Sequence, residues 1–271
     1  LHWPTIPIWC SMNIGCREAA EVNLTNDCSM KTIIKIAGLL FGITMMLGAC
    51  KKDDYYIDGG LANARFDGTV MAYLDANPVH FDTIAQIIRL AGLEDVFNRD
   101  TLTFFAPNDR NIRELIGDYR RGGVNRELYR LNRDTIQHLS DVDSIIWRKY
   151  LMRYMFHGKN KLADYPQIDF DVLNAFPGQN YYSYNNSVCN IGVEFNDAVS
   201  DGGTRLKYMG YRQLTISFIP NVSFPFNNWR TVKVISSDIE PDNGVVHALA
   251  YLNSNFGFDN QIQYDIIDSK R

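Results

Sequence analysis

The sequence predicts one α+β domain, because helical patterns fill the first part of the chain and β-prone runs fill the second. Apolar residues recur at helical spacing over residues 66–74, 81–91 and 141–157. Further along, short β-prone runs are separated by turn-forming pairs such as Asn185-Asn186. Helices first and strands later, with no internal repeat, are typical of an α+β fold.

Proline, glycine and helix-capping residues set the bounds of the first predicted elements. Pro78 ends the first helical pattern, and Gly92 stops the second. Residues 102–106 are a β-prone run followed by a proline, which predicts a buried strand. Asn108 or Asp109 can cap the helix that follows.

The remaining chain is predicted to be mostly strands. A polar segment rich in arginine covers residues 117–139 and precedes the third helical pattern. Strands are then predicted at 168–172, 181–184, 188–195, 205–209, 214–219, 231–236 and 244–252.

Composition and charge exclude several classes of protein. The 271 residues are 46% hydrophobic and 21% charged, as in an ordinary globular protein. The formal charge of -4 disfavours contact with phosphate backbones, so we expect no nucleic-acid partner. None of the five cysteines forms a CxxC pair, so a zinc site is not predicted. Cys189 is interpreted as a small apolar residue in a strand.

The first 49 residues contain an export signal. Residues 30–49 begin with Met30, carry two lysines, continue with an uncharged apolar run and end in small residues, which is the order of a secretory signal peptide. The apolar run is too short to span a bilayer. Residues 1–29 precede this complete signal, so we interpret them as an over-extended gene start with Met30 as the initiator.

The residues after the signal peptide resemble those of a bacterial lipoprotein. Leu47-Gly48-Ala49-Cys50 resembles a lipobox, in which the sulfur of Cys50 receives a diacylglycerol that anchors the chain to a membrane. Residues 50–65 then form the lipidated cysteine and a flexible tether.

Three residues at the start of the tether indicate where in the cell the protein is located. Lys52, Asp53 and Asp54 look like the surface-export signal of Bacteroidota-type lipoproteins. That resemblance implies an outer-membrane protein facing the cell surface. The alternative is a solvated charge cluster in a linker.

Residues 66–255 resemble the fasciclin (FAS1) domain family in three blocks. The blocks are Thr103-Phe104-Phe105-Ala106-Pro107-Asn108-Asp109, then Tyr154-Met155-Phe156-His157-Gly158, then Val234 to Ile239 with Asn243-Gly244-Val245-Val246-His247. The resemblance implies a FAS1-like fold in which N-terminal helices pack on a mixed β-sheet or wedge. The spacing between the second and third blocks implies extra strands or an insertion around 159–230. Residues 256–271 are left as a C-terminal tail.

The resemblance also supplies candidate partner-binding residues. In the family the Tyr-His and Asp-Ile regions are linked to adhesion, which makes Tyr154, His157, Asp238 and Ile239 candidates here. A purely structural interpretation stays open. In it, Thr103, Asp238 and His247 satisfy backbone groups of turns and strands.

An aromatic loop gives a second set of candidates. Phe224, Phe226 and Trp229 lie in a stretch with proline and two asparagines, which predicts a loop with exposed rings. Aromatic faces stack on sugars and anchor protein interfaces.

The sequence gives no pattern typical of a catalytic site. There is no HExxH, GxSxG, Walker or GxGxxG motif, so we expect no catalytic residues, no cofactor and no metal. Acid pairs occur at Asp141/Asp143 and at Asp169/Asp171, and the second alternates with apolar residues as on the wet face of a half-buried strand.

Three functions follow as hypotheses. The first is a lipid-anchored module for adhesion or ligand binding, with a glycan or protein partner. The second is a structural or accessory subunit of an outer-membrane transporter complex for glycan uptake. The third is a hydrolase that uses Asp169 or Asp171.

Overall fold

A computed structural model describes residues 64–120, 122–223, 228–252 and 254–271. The predicted upstream extension, the signal peptide, Cys50 and the export signal Lys52 to Asp54 lie outside these described residues. Two of the aromatic candidates, Phe224 and Phe226, also lie outside them.

Seven α-helices lie in the described part of the chain. They are α1 (Val70–Ala76), α2 (Pro78–Leu90), α3 (Glu94–Arg99), α4 (Asp109–Ile116), α5 (Gly123–Arg130), α6 (Ser144–Leu151) and α7 (Gln261–Ser269). Thr69 caps α1 by accepting a hydrogen bond from the amide of Ala72 at 3.2 Å. Pro78 occupies the first turn of α2, where its missing N–H is not needed, so α2 begins three residues earlier than the sequence predicts.

Eleven strands are present in the same residues. They are β1 (Arg65–Phe66), β2 (Leu102–Ala106), β3 (Met155–His157), β4 (Gln167–Ile168), β5 (Gln179–Tyr182), β6 (Val188–Phe195), β7 (Ala198–Val199), β8 (Arg205–Leu206), β9 (Arg212–Phe218), β10 (Arg230–Pro241) and β11 (Gly244–Leu249).

The main sheet is mixed, and its order is β3-β2-β11-β10-β9-β6-β4, with β1 beside β10 and β5 beside β6. β2 pairs with β11 in parallel and with β3 antiparallel. Every residue of β2 and β11 is buried. Helices packed against a mixed sheet confirm the predicted α+β class.

The third helical pattern does not persist to residue 157 as predicted. The helix α6 ends at Leu151, a short 3₁₀ turn covers Met152–Tyr154, and Met155–His157 form β3. In β3, Phe156 lies opposite Thr103 of β2. Pairing with a buried strand therefore overrides the helical periodicity at this point.

The predicted C-terminal tail is part of the core. Phe256, Phe258, Ile262 and Ile266 are each at most 3% exposed, and the last two lie on α7. A run rich in glycine, asparagine and aspartate at 252–260 interrupts the apolar pattern, which is why the sequence suggested a tail. The domain therefore includes these residues.

The described residues of the segment 159–230 contain six complete strands, β4 to β9, of which β7 and β8 form a separate two-stranded sheet. The strand predicted at 168–172 is shorter than expected, because β4 ends at Ile168. The amide of Val172 donates to the carbonyl of Asp169 at 3.1 Å, so this stretch turns. Among the described residues, no helix combines the length and apolar character needed to cross a bilayer.

Candidate functional site

Tyr154 is a core residue, so its prediction as a partner-binding residue is wrong. Its ring is 1% exposed and stacks on Phe256 and Phe258, with centroids 5.7 and 4.5 Å away. Its hydroxyl accepts a hydrogen bond from the amide of Gly257 at 2.7 Å. Burial raises the pKa of Tyr154. The ring packs against the C-terminal segment, so it is not accessible to a partner.

His157 is the exposed member of the same block. It is the last residue of β3, and its ring stacks on Tyr184 with the centroids 4.0 Å apart. Since β3 is the end strand of the main sheet, His157 is accessible to a partner.

Asp238 and Ile239 lie at a bulge of β10, and both make contacts within the domain. Asp238 has a φ of 59°, and its carboxylate accepts the amide of Leu162 at 2.7 Å. Burial raises the pKa of Asp238, although the hydrogen bond from Leu162 opposes that effect. Ile239 is partly buried and packs against the core. Both residues therefore support the fold more than they present a binding surface.

A buried polar network joins β2, β10 and β11. The hydroxyl of Thr103 donates to the carbonyl of Gly158 at 2.8 Å and accepts the amide of Asn160 at 2.9 Å. His247 accepts the amide of Asp238 at Nδ1 (3.2 Å), while Nε2 lies 3.0 Å from the carbonyl oxygen of Asn160. A carbonyl only accepts, so Nε2 carries the proton and the ring is neutral. These contacts support the structural interpretation of Thr103, Asp238 and His247.

Acid is expected to weaken the fold through His247. Burial lowers the pKa of His247 from 6.5 to about 4. Between these values the unfolded chain binds a proton that the folded chain refuses, so stability falls as pH falls. We expect His247 to contribute a loss of about 2 kcal/mol in the free energy of unfolding between pH 7.5 and 5.0, measured by urea denaturation of the wild type against a variant without the imidazole.

The control for this pH dependence is His247→Gln, whose amide does not titrate. Its unfolding free energy should change much less over the same interval, whatever its absolute value. Asp238 acts in the opposite direction, because its raised pKa adds stability as pH falls. Equal pH slopes for the wild type and His247→Gln would show that His247 is not the responsible group.

The described surface has a cleft of about 300 Å³ between three segments. They are the turn after β4 (168–171), the end of β6 with the residues that follow (194–197), and Arg205, Lys207 and Tyr208 around β8. Chain topology brings them together, because β4 and β6 pair in parallel and the β7–β8 hairpin follows β6 directly.

Tyr208 connects the segments that line the cleft. Its φ of 62° is unusual for a residue with a side chain, and its amide donates to Oδ1 of Asp197 at 2.8 Å. Its hydroxyl donates to Oδ2 of Asp169 at 2.8 Å, and its ring meets Phe176 edge-on at 5.6 Å. The other oxygen of Asp197 forms an ion pair with Arg205. These contacts fix the shape of the cleft.

The two carboxylates in these contacts stay ionised. The hydrogen bond from the Tyr208 hydroxyl lowers the pKa of Asp169, and the one from the Tyr208 amide lowers the pKa of Asp197. A general acid needs a raised pKa, so neither suits proton donation near neutral pH. Asp169 and Asp171 also lie in a turn, where the amide of Asp171 donates to Asp169, and not on a strand as predicted.

The other acid pair and the thiol have structural roles. Asp141 accepts the amides of Gln137 and His138, and Asp143 caps α6. Cys189 is fully buried in β6, and burial raises its pKa to about 12, so the thiol is inert. No group of three or more His, Cys, Asp or Glu side chains within the described ranges could hold a metal ion.

An exposed aromatic residue borders the cleft. Phe170 lines it and is 38% exposed, and its ring meets Trp229 edge-on at 6.3 Å. Trp229 is half-buried. The carboxylate of Asp171 is exposed beside Phe170, without a hydrogen-bond or ion-pair partner in the part of the chain that the structure describes. Of the predicted loop aromatics, Trp229 is therefore placed next to this cleft.

No local sequence pattern predicts that these segments form a cleft. The strand predicted at 168–172 places Phe170 on its apolar side, and no sequence motif includes Arg205 or Asp197. The one available signal was the Asn196-Asp197 pair before β7, which is typical of a turn. The pairing of β4 with β6 brings two of the lining segments together, and no local sequence pattern predicts this pairing.

Comparisons with known proteins identify a family and similar solved structures. The family described as Fasciclin domain matches residues 79–252. A solved FAS1 domain pair from the insect cell adhesion molecule fasciclin I is 16% identical, with a TM-score of 0.41. The match covers 68% of this chain and 50% of that one, so this chain spans about half of its length. The comparison with curated proteins gives no match.

Proposed function

This chain belongs to the fasciclin domain family, and from that premise we propose that it is a membrane-anchored adhesion or ligand-binding module. The domain binds a glycan or a protein at the cleft bordered by Phe170 and Trp229. The observation that carries the proposal is the exposed ring of Phe170 beside a cleft held in shape by Tyr208. Fasciclin domains are commonly linked to adhesion.

The chemistry of the cleft favours a glycan as the ligand. An exposed aromatic face stacks on the apolar face of a sugar ring. Asp171 and Asn196 lie within reach of the same volume and can hydrogen-bond to sugar hydroxyls. The cleft opens to solvent and is small, which suits one or two sugar units of a longer polymer.

Substitution of Phe170 tests the site. We expect Phe170→Ala to weaken binding to the preferred glycan about tenfold, because a central aromatic contact contributes ~1.4 kcal/mol or more. Affinity would be measured by calorimetry after screening an array of glycans and matrix proteins. Tyr264→Ala is the matched control, since Tyr264 is 61% exposed on α7 and does not line the cleft. Equal affinities for both variants would contradict this location of the site.

The anchor is proposed from residues 47–54, which lie before the described domain. In the proposal, lipidated Cys50 holds the protein in the outer membrane, and Lys52, Asp53 and Asp54 direct it to the cell surface. We expect Cys50→Ser to move the protein from the membrane fraction to the soluble fraction, because the acyl chains supply the membrane affinity. Cys189→Ser is the control, since Cys189 is buried in β6. Retention of Cys50→Ser in the membrane fraction would contradict lipid anchoring.

An accessory role in an outer-membrane transporter complex is the alternative, and the same surface distinguishes it. Exposed aromatic residues also anchor protein interfaces. Pull-down from detergent-solubilised membranes would then recover a stoichiometric transporter partner with the wild type and not with Phe170→Ala. Binding of a free glycan with no such partner favours the adhesion role.

A further inference from the structure

An arginine-rich surface lies on α4, α5 and the loop between them. From Arg110 to Arg133 the sequence has seven arginines and three acidic residues, in a chain whose formal charge is -4. We call the exposed part of it the α4–α5 surface, and its members are Arg110, Arg113, Tyr119, Arg120, Arg126 and Tyr129. Positive charge is therefore concentrated locally on an otherwise mildly acidic protein.

The loop that connects the two helices is closed tightly at its base. Gly117 has a φ of 62° and lies so close to the carbonyl of Gly122 that a Cβ would clash. An antiparallel bridge joins Asp118 and Gly122, and the amide of Arg120 donates to Oδ1 of Asp118 at 2.7 Å. A loop closed in this way presents Tyr119 and Arg120 from a fixed base.

The surface is concave where the two helices meet. A depression of about 700 Å³ is lined by Arg110 and Arg113 of α4 and by Gly122 and Gly123 at the start of α5, together with Glu114 and Asp118. Glu114 is already paired with Arg110 at 2.8 Å.

Two guanidinium groups of this surface form no ion pair with the residues that the structure describes. Arg113 and Arg126 are exposed, and neither has an ion-pair or hydrogen-bond partner for its side chain in the described parts of the chain. A guanidinium group binds carboxylate and sulfate in a bidentate manner. An anionic ligand is therefore the natural occupant.

Aromatic rings accompany the charges. Tyr119 and Tyr129 are 51% and 65% exposed, and their ring centroids lie 5.6 Å apart. The guanidinium of Arg120 lies 5.0 Å from the centroid of the Tyr119 ring. Exposed rings beside guanidinium groups can contact the apolar face of a sugar while the charges hold its acidic groups.

We propose that the α4–α5 surface binds an acidic polysaccharide, with uronate or sulfate groups on Arg113 and Arg126 and sugar rings against Tyr119 and Tyr129. A polysaccharide chain can place its acidic groups on these exposed guanidinium groups and its sugar rings against the exposed tyrosines. This site shares no lining residue with the Phe170 cleft and does not depend on it.

Binding to defined polymers tests the proposal. The purified protein is titrated with polygalacturonate, dextran sulfate and uncharged dextran of matched length at 50 and 300 mM salt. We expect binding to the two anionic polymers only, weakening with salt because exposed charges are screened. The double variant Arg113→Ala/Arg126→Ala should bind at least about tenfold more weakly, and Tyr119→Ala/Tyr129→Ala should also bind more weakly.

Controls separate this site from others. Arg99→Ala removes an exposed arginine of α3 and should leave affinity unchanged. Thermal melting of each variant checks that these exposed substitutions leave the fold intact. Three results would overturn the proposal: undiminished polyanion binding by the double arginine variant, equal binding of uncharged dextran, or tighter binding to phosphatidylglycerol vesicles or duplex DNA than to polygalacturonate.

Discussion

Deleting residues 256–271 is expected to unfold the domain. This segment places Phe256, Phe258, Ile262 and Ile266 in the core, each at most 3% exposed. A fully buried side chain of this size stabilises the fold by about 2 kcal/mol, so the four together contribute roughly 8 kcal/mol. Domains of this size have a total stability of only ~5–15 kcal/mol.

Specific contacts add to this burial. The carboxylate of Asp265 accepts hydrogen bonds from the hydroxyl of Tyr150 at 2.8 Å and from Nζ of Lys149 at 2.7 Å. The rings of Phe256 and Phe258 stack on Tyr154. Removing the segment therefore opens the face of the core that Tyr154 occupies.

Circular dichroism and urea denaturation measure the effect. A chain ending at Asn255 should show no cooperative unfolding transition. Deletion of Lys270 and Arg271 alone, which lie beyond α7, should leave the midpoint within experimental error. Phe258→Ala is an intermediate case and should cost about 3–5 kcal/mol. A cooperative transition in the chain ending at Asn255 would contradict the assignment of this segment to the core.

Replacing Arg153 with alanine is expected to be the most damaging change of a single charged residue. The residue is 8% exposed, and its guanidinium donates to the carbonyl of Gly257 and lies 3.2 Å from Asp259. It is also sandwiched between Tyr150 and Phe218, at 4.5 and 4.3 Å from their ring centroids. One buried cation thus links the sheet, α6 and the C-terminal segment.

The expected loss for Arg153→Ala is about 3 kcal/mol, because a buried carbonyl and a carboxylate lose their partner and a cavity remains. The value is at the lower end of such losses because Asp259 is 21% exposed and water compensates it in part. Arg153→Lys keeps the charge but loses the planar stacking. Its free energy of unfolding should therefore lie between those of the wild type and Arg153→Ala. The exposed Arg99→Ala should change stability by less than about 0.5 kcal/mol. An Arg153→Ala midpoint equal to that of Arg99→Ala would refute the role given to Arg153.

Much of the fold could be predicted because local signals coincide with tertiary ones. Thr69 caps the start of α1, Pro78 lies in the first turn of α2, and Asn108 caps α4, as the residue types suggest. The buried strand at 102–106 has the same bounds as β2. Prediction failed at residues 155–157, where strand pairing overrides a helical pattern, and at α7, which follows a polar interruption.

The candidate site was less predictable for a physical reason. Residue type alone does not distinguish a core tyrosine such as Tyr154 from an exposed one such as Tyr129. Asp238 and His247 have side chains that bind ligands in many proteins, but here they satisfy backbone groups. The cleft beside Phe170 depends on long-range strand pairing, which leaves no mark in the local sequence.

Hydrogen–deuterium exchange with a bound ligand tests most directly whether this fasciclin-family domain recognises its partner at the cleft. With the preferred glycan or protein at saturation, the amides of residues 168–171, 194–197 and 205–208 should exchange more slowly, and those of α7 should not change. Protection confined to the surroundings of His157, or failure to retain any glycan or protein from the array, would contradict the account.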